Sequence, residues 1–548
     1  MSPVVPGWLR SYERGWLRPD VIAGLVIWSD VTPQAVAYAQ IAGLPPEAGL
    51  MAAPVAMLAY ALVGTSRQLV VSATTATSAV SAAAVGPLAG GDPVKFAALS
   101  AALALVVAVV LVLGGLLRFG AISDLVSKPV MTGFLFGLGL VIALAQLPSL
   151  LGIKPGEGNF FPALWDVLGE LDSVQGATVA VGAGSLAVLI LGKRLLPGFP
   201  STLLVLVLAI AVSALLGLQD HGVDVVGAIP TALPDPAVPR VGADDLVQLI
   251  APALGVLVLT AEAVGVARGL AVRHGYQVDP NRDLVAMGAA NALAGLSSGF
   301  VQSGGASQTA AADGAGGRSQ MASVVAAGLV LLTGAFLAPL FEDLPQATLA
   351  AIVIVAVAGF FDVAELRRFT RVRRSAIRFA ALGLAGVLVL GVLQGLIVAA
   401  GLTLVYVIAR LSRPSVGALA RDPASGAWGR VDRHPDWAAP EGVIAVRSDG
   451  PFLYPNANAV KDRVLALTAA AVEPHAVALD LEQSTELDLQ SADALGELAD
   501  ALRRDGIELR LAVVHAPALE VLTRSGVAER VRIVPSLDDA VRDQSADA

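Results

Sequence analysis

Cysteine is absent from the 548-residue chain, which excludes disulfides, thiolate metal sites and cysteine nucleophiles in one step. Charge is scarce too: 15% of residues are charged and 5% aromatic. Nucleic-acid binding needs a basic stripe; here the net charge is −9. There is no phosphate loop, since Gly314–Gly317 lacks the Gly-Lys-Ser/Thr ending. No nucleophile–base pair and no cluster of metal-ligating residues stands out, so the sequence points to no enzyme, no cofactor and no bound metal. What the chain has instead is apolar surface, with 55% hydrophobic residues and a mean hydropathy of +0.72. Runs of 17 or more apolar residues recur along it, and a bilayer core about 30 Å thick takes about 20 such residues per helix. The class is a polytopic α-helical membrane protein.

About fourteen apolar segments fall near 20–40, 46–63, 68–86, 95–117, 129–147, 176–192, 199–217, 246–267, 284–300, 305–315, 321–340, 347–361, 375–391 and 392–410. Some are too short to span. Interrupted or short segments at matching places in two halves point to the midplane site of a transporter. Two such matches exist. Thr32–Ala39 aligns without a gap to Thr260–Ala267 at an offset of 228, placing Gln34 opposite Glu262. Ser72–Ser78 resembles Ser303–Thr309 at an offset of 231. Nearly equal offsets imply a duplicated unit, and seven segments per unit, being odd, would give the copies opposite orientations.

The charge is unevenly spread. Residues 1–413 carry 23 basic and 23 acidic side chains and residues 414–548 carry 13 and 22, so the net charge lies in the tail. Within the apolar body Arg367, Arg368, Arg371, Arg373, Arg374 and Arg378 crowd one short connection, which places it on the cytoplasmic side. An even number of spans then puts both termini in the cytoplasm of a bacterial-type inner membrane. Residues 1–19, with Trp8, Trp16 and three arginines, read as an interfacial lead-in and not as a cleaved signal. The transport domain is expected over 20–413, with repeats at about 20–217 and 246–410. A Gly-, Pro- and Asp-rich linker is expected over 414–440. Over 441–548 strand-like runs (442–447, 476–481, 509–514) alternate with helix-like ones (457–471, 491–505, 516–525, 537–543), the pattern of a small soluble α/β domain.

The strings Asp20–Gly24, Pro33–Ala39, Ala42–Pro46 and Gly64–Arg67 resemble the opening signature of the SulP family, the sulfate permeases or solute carrier family 26. The resemblance continues through Ala261-Glu262, Ala290-Asn291, Thr309 and Gly316–Ser319, and the tail resembles the family's STAS domain. It implies fourteen segments in a seven-plus-seven inverted repeat, divided into a core that carries substrate and a gate that holds a homodimer. It also implies that the third and tenth segments are half-helices whose N-termini face each other, near Val71–Thr75 and Gly305–Gln308. Each N-terminus offers unpaired N–H groups and about half a positive charge, so two of them can hold an anion without a cationic side chain.

On that reading Ser72, Thr74, Thr75, Ser303 and Ser307 supply hydroxyls, and Gly305, Ala306 and Gln308 supply the second helix start. Gln34 and Tyr38 line the cavity. Glu262, an ionisable group in an apolar span at a cost of about 2.5–3.5 kcal/mol, couples transport to a proton or sodium ion, with Asp30 as a second titrating group. Many relatives have arginine after the serine of the tenth segment. Here Gln308 follows Ser307, so the site lacks a fixed positive charge, which favours a monoanion or a cotransported cation. In the tail the places of a phosphorylatable serine hold Leu489 and Gln490, which argues against a phosphoserine switch and leaves folding, dimerisation or docking of a cytoplasmic partner. The expected activity is secondary anion transport; an uncoupled exchanger or channel of the same fold is the alternative, and a nucleobase transporter is disfavoured by the tail.

Overall fold

The computed structural model describes residues 6–120, 128–156, 158–195, 201–229, 236–372 and 374–542. Its contacts divide the chain into Met1–Thr403 and Leu404–Ala548. The first unit is helical: α1 (Leu17–Ile41), α2 (Pro46–Val63), strand β1 (Val71–Ser72), α3 (Thr75–Ala89), α4 (Pro93–Leu116), α5 (Lys128–Leu151), α6 (Gly176–Leu195) and α7 (Ser201–Leu216). After these come α8 (Ile250–Arg273), α9 (Pro280–Leu296), strand β2 (Ser303–Gly304), α10 (Ala306–Gly314), α11 (Met321–Leu332), α12 (Gln346–Val357), α13 (Arg374–Leu390) and α14 (Val392–Leu411), which runs across the boundary.

Local chemistry sets the helix starts. Pro46, Pro93 and Pro280 occupy the first turns of α2, α4 and α9, where the missing N–H has no partner to lose. Asp92 and Asp279 each accept two backbone N–H groups at the starts of α4 and α9, stabilising each helix by about 1 kcal/mol. Among the described residues eight helical stretches are long and apolar enough to cross a bilayer, and further apolar helices have 10–17 residues. The arginine-rich connection, expected as a loop, contains a helix, Val363–Val372, that exposes Arg367, Arg368 and Arg371. Arg373 and the side chain of Arg374 lie outside the described residues.

Two bundles make up this unit. Helices α1–α4 pack with α8–α11, the tightest pairs being α4 on α9, α2 on α9 and α1 on α11. Helices α5 and α6 pack with α12 and α13. The halves share one order of elements: Val71 and Ser303 open the strands, 232 residues apart, and Thr75 and Ala306 open the helices that follow, 231 apart. The strands pair antiparallel, Val71 with Gly304 and Ser72 with Ser303.

Extended backbone inside an apolar bundle is stable only if its polar groups find partners. The Val70 N–H donates to Thr309 Oγ1 at 3.0 Å, and Gly305 N–H to Val70 O at 3.0 Å. Gln320 Nε2 donates to Ser66 O and Leu69 O, at 3.0 and 2.8 Å. Asn291 clamps the approach to β2: it accepts from Gln302 N–H and donates to Gln302 O, both at 2.9 Å.

The second unit is an α/β domain with strands β3 (Val416–Arg421), β4 (Trp428–Arg430), β5 (Val443–Ser448), β6 (Ala476–Asp480), β7 (Glu508–Ala512) and β8 (Arg532–Val534) in the order β4-β3-β5-β6-β7-β8. Strands β5 to β8 are parallel, so their connections carry helices: α15 (Ala457–Ala469), α16 (Leu489–Arg504) and α17 (Ala516–Arg524), followed by α18 (Leu537–Val541). Alternate strand residues feed two apolar clusters. Val446, Val477, Leu479 and Leu511 pack under α15–α17; Val443, Ala445, Ala476 and Ala478 pack under α18. The expected linker over 414–440 is corrected in part: residues 416–430 supply two strands, because the alternating apolar positions of Val416–Arg421 pair antiparallel with β5. Helix α16 starts at Leu489, two residues before the expected Ser491, because Asp488 caps it by accepting Ser491 N–H at 2.8 Å.

Candidate functional site

The antiparallel β1–β2 pair sends α3 and α10 away in opposite directions, so both helix starts meet at one place. There Thr74 caps α3, accepting from Thr77 N–H, and Gly305 caps α10. At about 1.5 Å per residue, the 15 residues of α3 and the 9 of α10 both fall short of a bilayer core. A cavity of about 710 Å³ opens at the two starts. Its polar wall comes from α1, β1–α3, α8 and β2–α10; α6, α7 and α12 supply Leu189, Ser201, Thr202, Ile352 and Val355 opposite. The cavity thus lies between the two bundles.

Eleven of the residues singled out in the sequence meet here: Asp30, Gln34, Tyr38, Thr74, Thr75, Glu262, Ser303, Gly305, Ala306, Ser307 and Gln308. Ser72 is placed differently. It lies one layer back, buried, and donates to Gln308 Oε1 at 2.9 Å. The chain continues from Gln308 Nε2 to Gln34 Oε1 at 2.6 Å and from Gln34 Nε2 to Asp30 Oδ1 at 2.7 Å. Tyr38 is buried with its hydroxyl beside Thr75. Glu262 opens onto the cavity, one helical face of α8 away from the buried Ala263 and Val264.

The charged side chains among the cavity's described lining residues are Asp30 and Glu262, both acidic, with no lysine, arginine or histidine. Among the described lining residues, positive potential comes from the two helix starts. Ser29, Thr77, Ser201 and Thr202 also line the cavity and escaped the sequence reading; the signal available was a hydroxyl near the start of an otherwise apolar run. Among the described residues no group of three or more His, Cys, Asp or Glu could hold a metal ion.

Several strings that carry the family resemblance work outside the cavity. Asp20 accepts from Arg318 N–H at 2.7 Å, from Ser319 N–H at 3.1 Å and from Ser319 Oγ at 2.6 Å. Asp283 accepts from Thr65 N–H at 2.7 Å, Thr65 Oγ1 at 2.8 Å and the Tyr60 hydroxyl at 3.1 Å. These carboxylates tie the segments next to the two half-helices to α1 and α9.

Comparison with known proteins bears on the same features. Residues 17–381 match the model of the sulfate permease family, and residues 434–540 match the STAS domain. A probable sulfate transporter of Mycobacterium tuberculosis is 36% identical over 526 residues, covering 95% of this chain and 94% of that protein. Among solved structures SLC26A9 superposes with a TM-score of 0.90 at 23% identity, covering 99% of this chain and 92% of that one. The transmembrane domain of a cyanobacterial bicarbonate transporter superposes with a TM-score of 0.62 at 24% identity, covering 71% of this chain and 98% of that one.

Proposed function

The chain belongs to the sulfate permease family of multi-pass membrane transporters, not to an enzyme family, and from that premise we propose that it is a secondary active transporter of a small anion, coupled to a proton or sodium ion through Glu262. The substrate class is an inorganic anion such as sulfate or bicarbonate, or a small carboxylate. The observation that carries this reading is the cavity itself: two helix N-termini and two carboxylates share it, with no cationic side chain among its described lining residues. The helix starts attract the anion. The carboxylates repel it until one of them is neutralised, so binding of the anion and of a cation or proton reinforce each other. Asp30 is a second titrating group in this scheme.

The bundles give the movement its parts. The bundle of α1–α4 and α8–α11 carries the helix starts and the polar wall; the other faces it with a largely apolar surface. Sliding of the first past the second, an elevator-like alternation, exposes the cavity to either side of the membrane. The proposal includes fourteen spans in an inverted seven-plus-seven repeat, both termini on the cytoplasmic face of the plasma membrane, and a homodimer held by the second bundle. The STAS domain is then a cytoplasmic docking module. Mass photometry in nanodiscs tests the dimer.

The deciding experiment is uptake of labelled sulfate, bicarbonate, chloride and small dicarboxylates into proteoliposomes, with and without inward proton or sodium gradients, for the intact protein and Glu262→Gln. A gradient that accelerates one anion, with the acceleration lost in Glu262→Gln, is the expected result. Uptake indifferent to both gradients and to the substitution refutes coupling and leaves an uncoupled exchanger or channel.

A further inference from the structure

The connection between α12 and α13 folds into a helix of its own whose two sides differ. Helix α12 ends at Val357, a tight turn follows at Ala358–Phe360, and Asp362 starts the new helix by accepting Glu365 N–H at 2.8 Å. At about 100° per residue, Val363, Leu366, Phe369 and Val372 fall on one side of Val363–Val372, and Arg367, Arg368 and Arg371 fall on the other. The protein covers only part of the apolar side. Phe369 is buried, but Val363 is 46% and Val372 76% exposed.

The basic side keeps its charge. The one carboxylate inside the helix, Glu365, is held by Lys128 of α5 at 2.8 Å and by Arg368 at 3.5 Å. Arg367, Arg371 and, one turn into α13, Arg378 are exposed and form no ion pair among the described residues.

A short amphipathic helix that joins two apolar ones lies along the surface of a bilayer. Its uncovered valines then meet acyl chains, and the arginines extend to the level of the phosphates, whose oxygens the planar guanidinium fork matches with two bonds. A soluble acidic partner would answer the charges alone. A phospholipid answers the charges and the apolar edge together. We propose that the Val363–Val372 helix, with Arg378, is a binding surface for the headgroups of acidic phospholipids in the leaflet it touches. The helix packs on α13 and α5, both in the bundle that faces the polar wall of the cavity, so bound headgroups fix the depth of that bundle in the membrane. The inference concerns the bilayer and not the transported anion, so it stands or falls apart from the transport reading.

A fluorophore on Thr370→Cys tests it at the site, because Thr370 is exposed and a chain without cysteine then has a single thiol. The full chain is reconstituted into phosphatidylcholine vesicles with a minor share of phosphatidylglycerol. Quenching is compared between equal amounts of the two lipids, each spin-labelled high on the acyl chain. One arginine near an acidic lipid is worth about a fivefold preference, so phosphatidylglycerol is expected to quench about fivefold more strongly than phosphatidylcholine at low salt. The excess is expected to shrink in high salt, and Arg367→Gln, Arg371→Gln and Arg378→Gln together are expected to remove most of it. An excess that survives in the triple variant overturns the inference. Equal quenching in the parent also overturns it, and shielding of the label by added polyglutamate would then assign the face to an acidic protein. If the triple variant gives no monodisperse peak in gel filtration, Arg371→Gln and the salt series on the parent decide: an excess lowered in both upholds the inference, and one unchanged in either overturns it.

Discussion

Gly49 of α2 faces the backbone of α1 with no room for a side chain, and its substitution by alanine gives a sharp test of the packing. A Cβ there would stand 2.6 Å from the carbonyl carbon of Ala35 on α1 and 3.3 Å from its Cα, with the carbonyl oxygen nearer still. The opposing atoms are backbone, so no rotamer change relieves the clash. Restoring ordinary carbon–carbon contact at about 3.5–4.0 Å requires α1 and α2 to part by about an ångström. Overpacking costs about 1–3 kcal/mol, and replacing a helical glycine by alanine returns about 0.5–1 kcal/mol, for a net loss of about 1–2 kcal/mol. Ala35 adjoins Gln34, whose 2.6 Å bond from Gln308 stretches with the same movement, so uptake weakens as well. Gly86 on α3 is the control: a Cβ there meets nothing within 4 Å, and Gly86→Ala is expected to stabilise by about 0.5–1 kcal/mol. Thermal denaturation of both variants in one detergent, followed by uptake, is the assay. Gly49→Ala as stable as the parent, or both substitutions shifting Tm the same way, refutes the argument.

Asn291→Ala removes both bonds that hold the Gln302 backbone. It leaves buried polar groups unpaired at about 1–3 kcal/mol, and is expected to lower Tm and raise the anion KM together; an unchanged KM separates β2 from the site. Asp283→Ala strips three donors of their acceptor and is expected to cost about 3 kcal/mol or more, read as loss of the monodisperse peak in fluorescence-detected gel filtration and recovered in part by Asp283→Asn. In the soluble unit the Arg430 guanidinium grips Asp432 with two bonds, at 2.9 and 3.0 Å, and holds its carboxyl below the usual carboxylate range. A depressed folded pKa adds stability above the unfolded value of about 3.9, lost as pH falls through the folded one. Acid unfolding followed by tryptophan fluorescence should therefore differ between the parent and Asp432→Asn at neutral pH and converge as the pH falls through the depressed folded value; a gap that does not narrow with acid refutes the assignment.

Much of the site was legible because it is written in local chemistry. Thr74 and Thr77 form a capping pair three residues apart, and a glutamate in an apolar helix is conspicuous wherever it points. The repeat offset near 230 also anticipated that the two strand–helix units are equivalents. The layer behind the site was not legible. That Ser72 serves Gln308 and not the cavity depends on a contact across 236 residues, and Ser201 and Thr202 line the cavity only because α7 belongs to the opposing bundle. Residues 414–440 misled for another reason: Gly, Pro and Asp describe the turns between β3, β4 and β5, and short edge strands carry too little periodicity to stand out.

The sequence by itself determined the class, the family, the presence of an α/β tail and the residue types gathered for an anion, because hydropathy, capping and the motif strings act over a few neighbouring residues. Tertiary structure alone decided which of those residues share one cavity, and that Asp30, Gln34, Gln308 and Ser72 are joined by hydrogen bonds in one chain. Each of those facts is a distance between segments far apart in the chain, and such distances are set by how helices pack rather than by what any one helix contains.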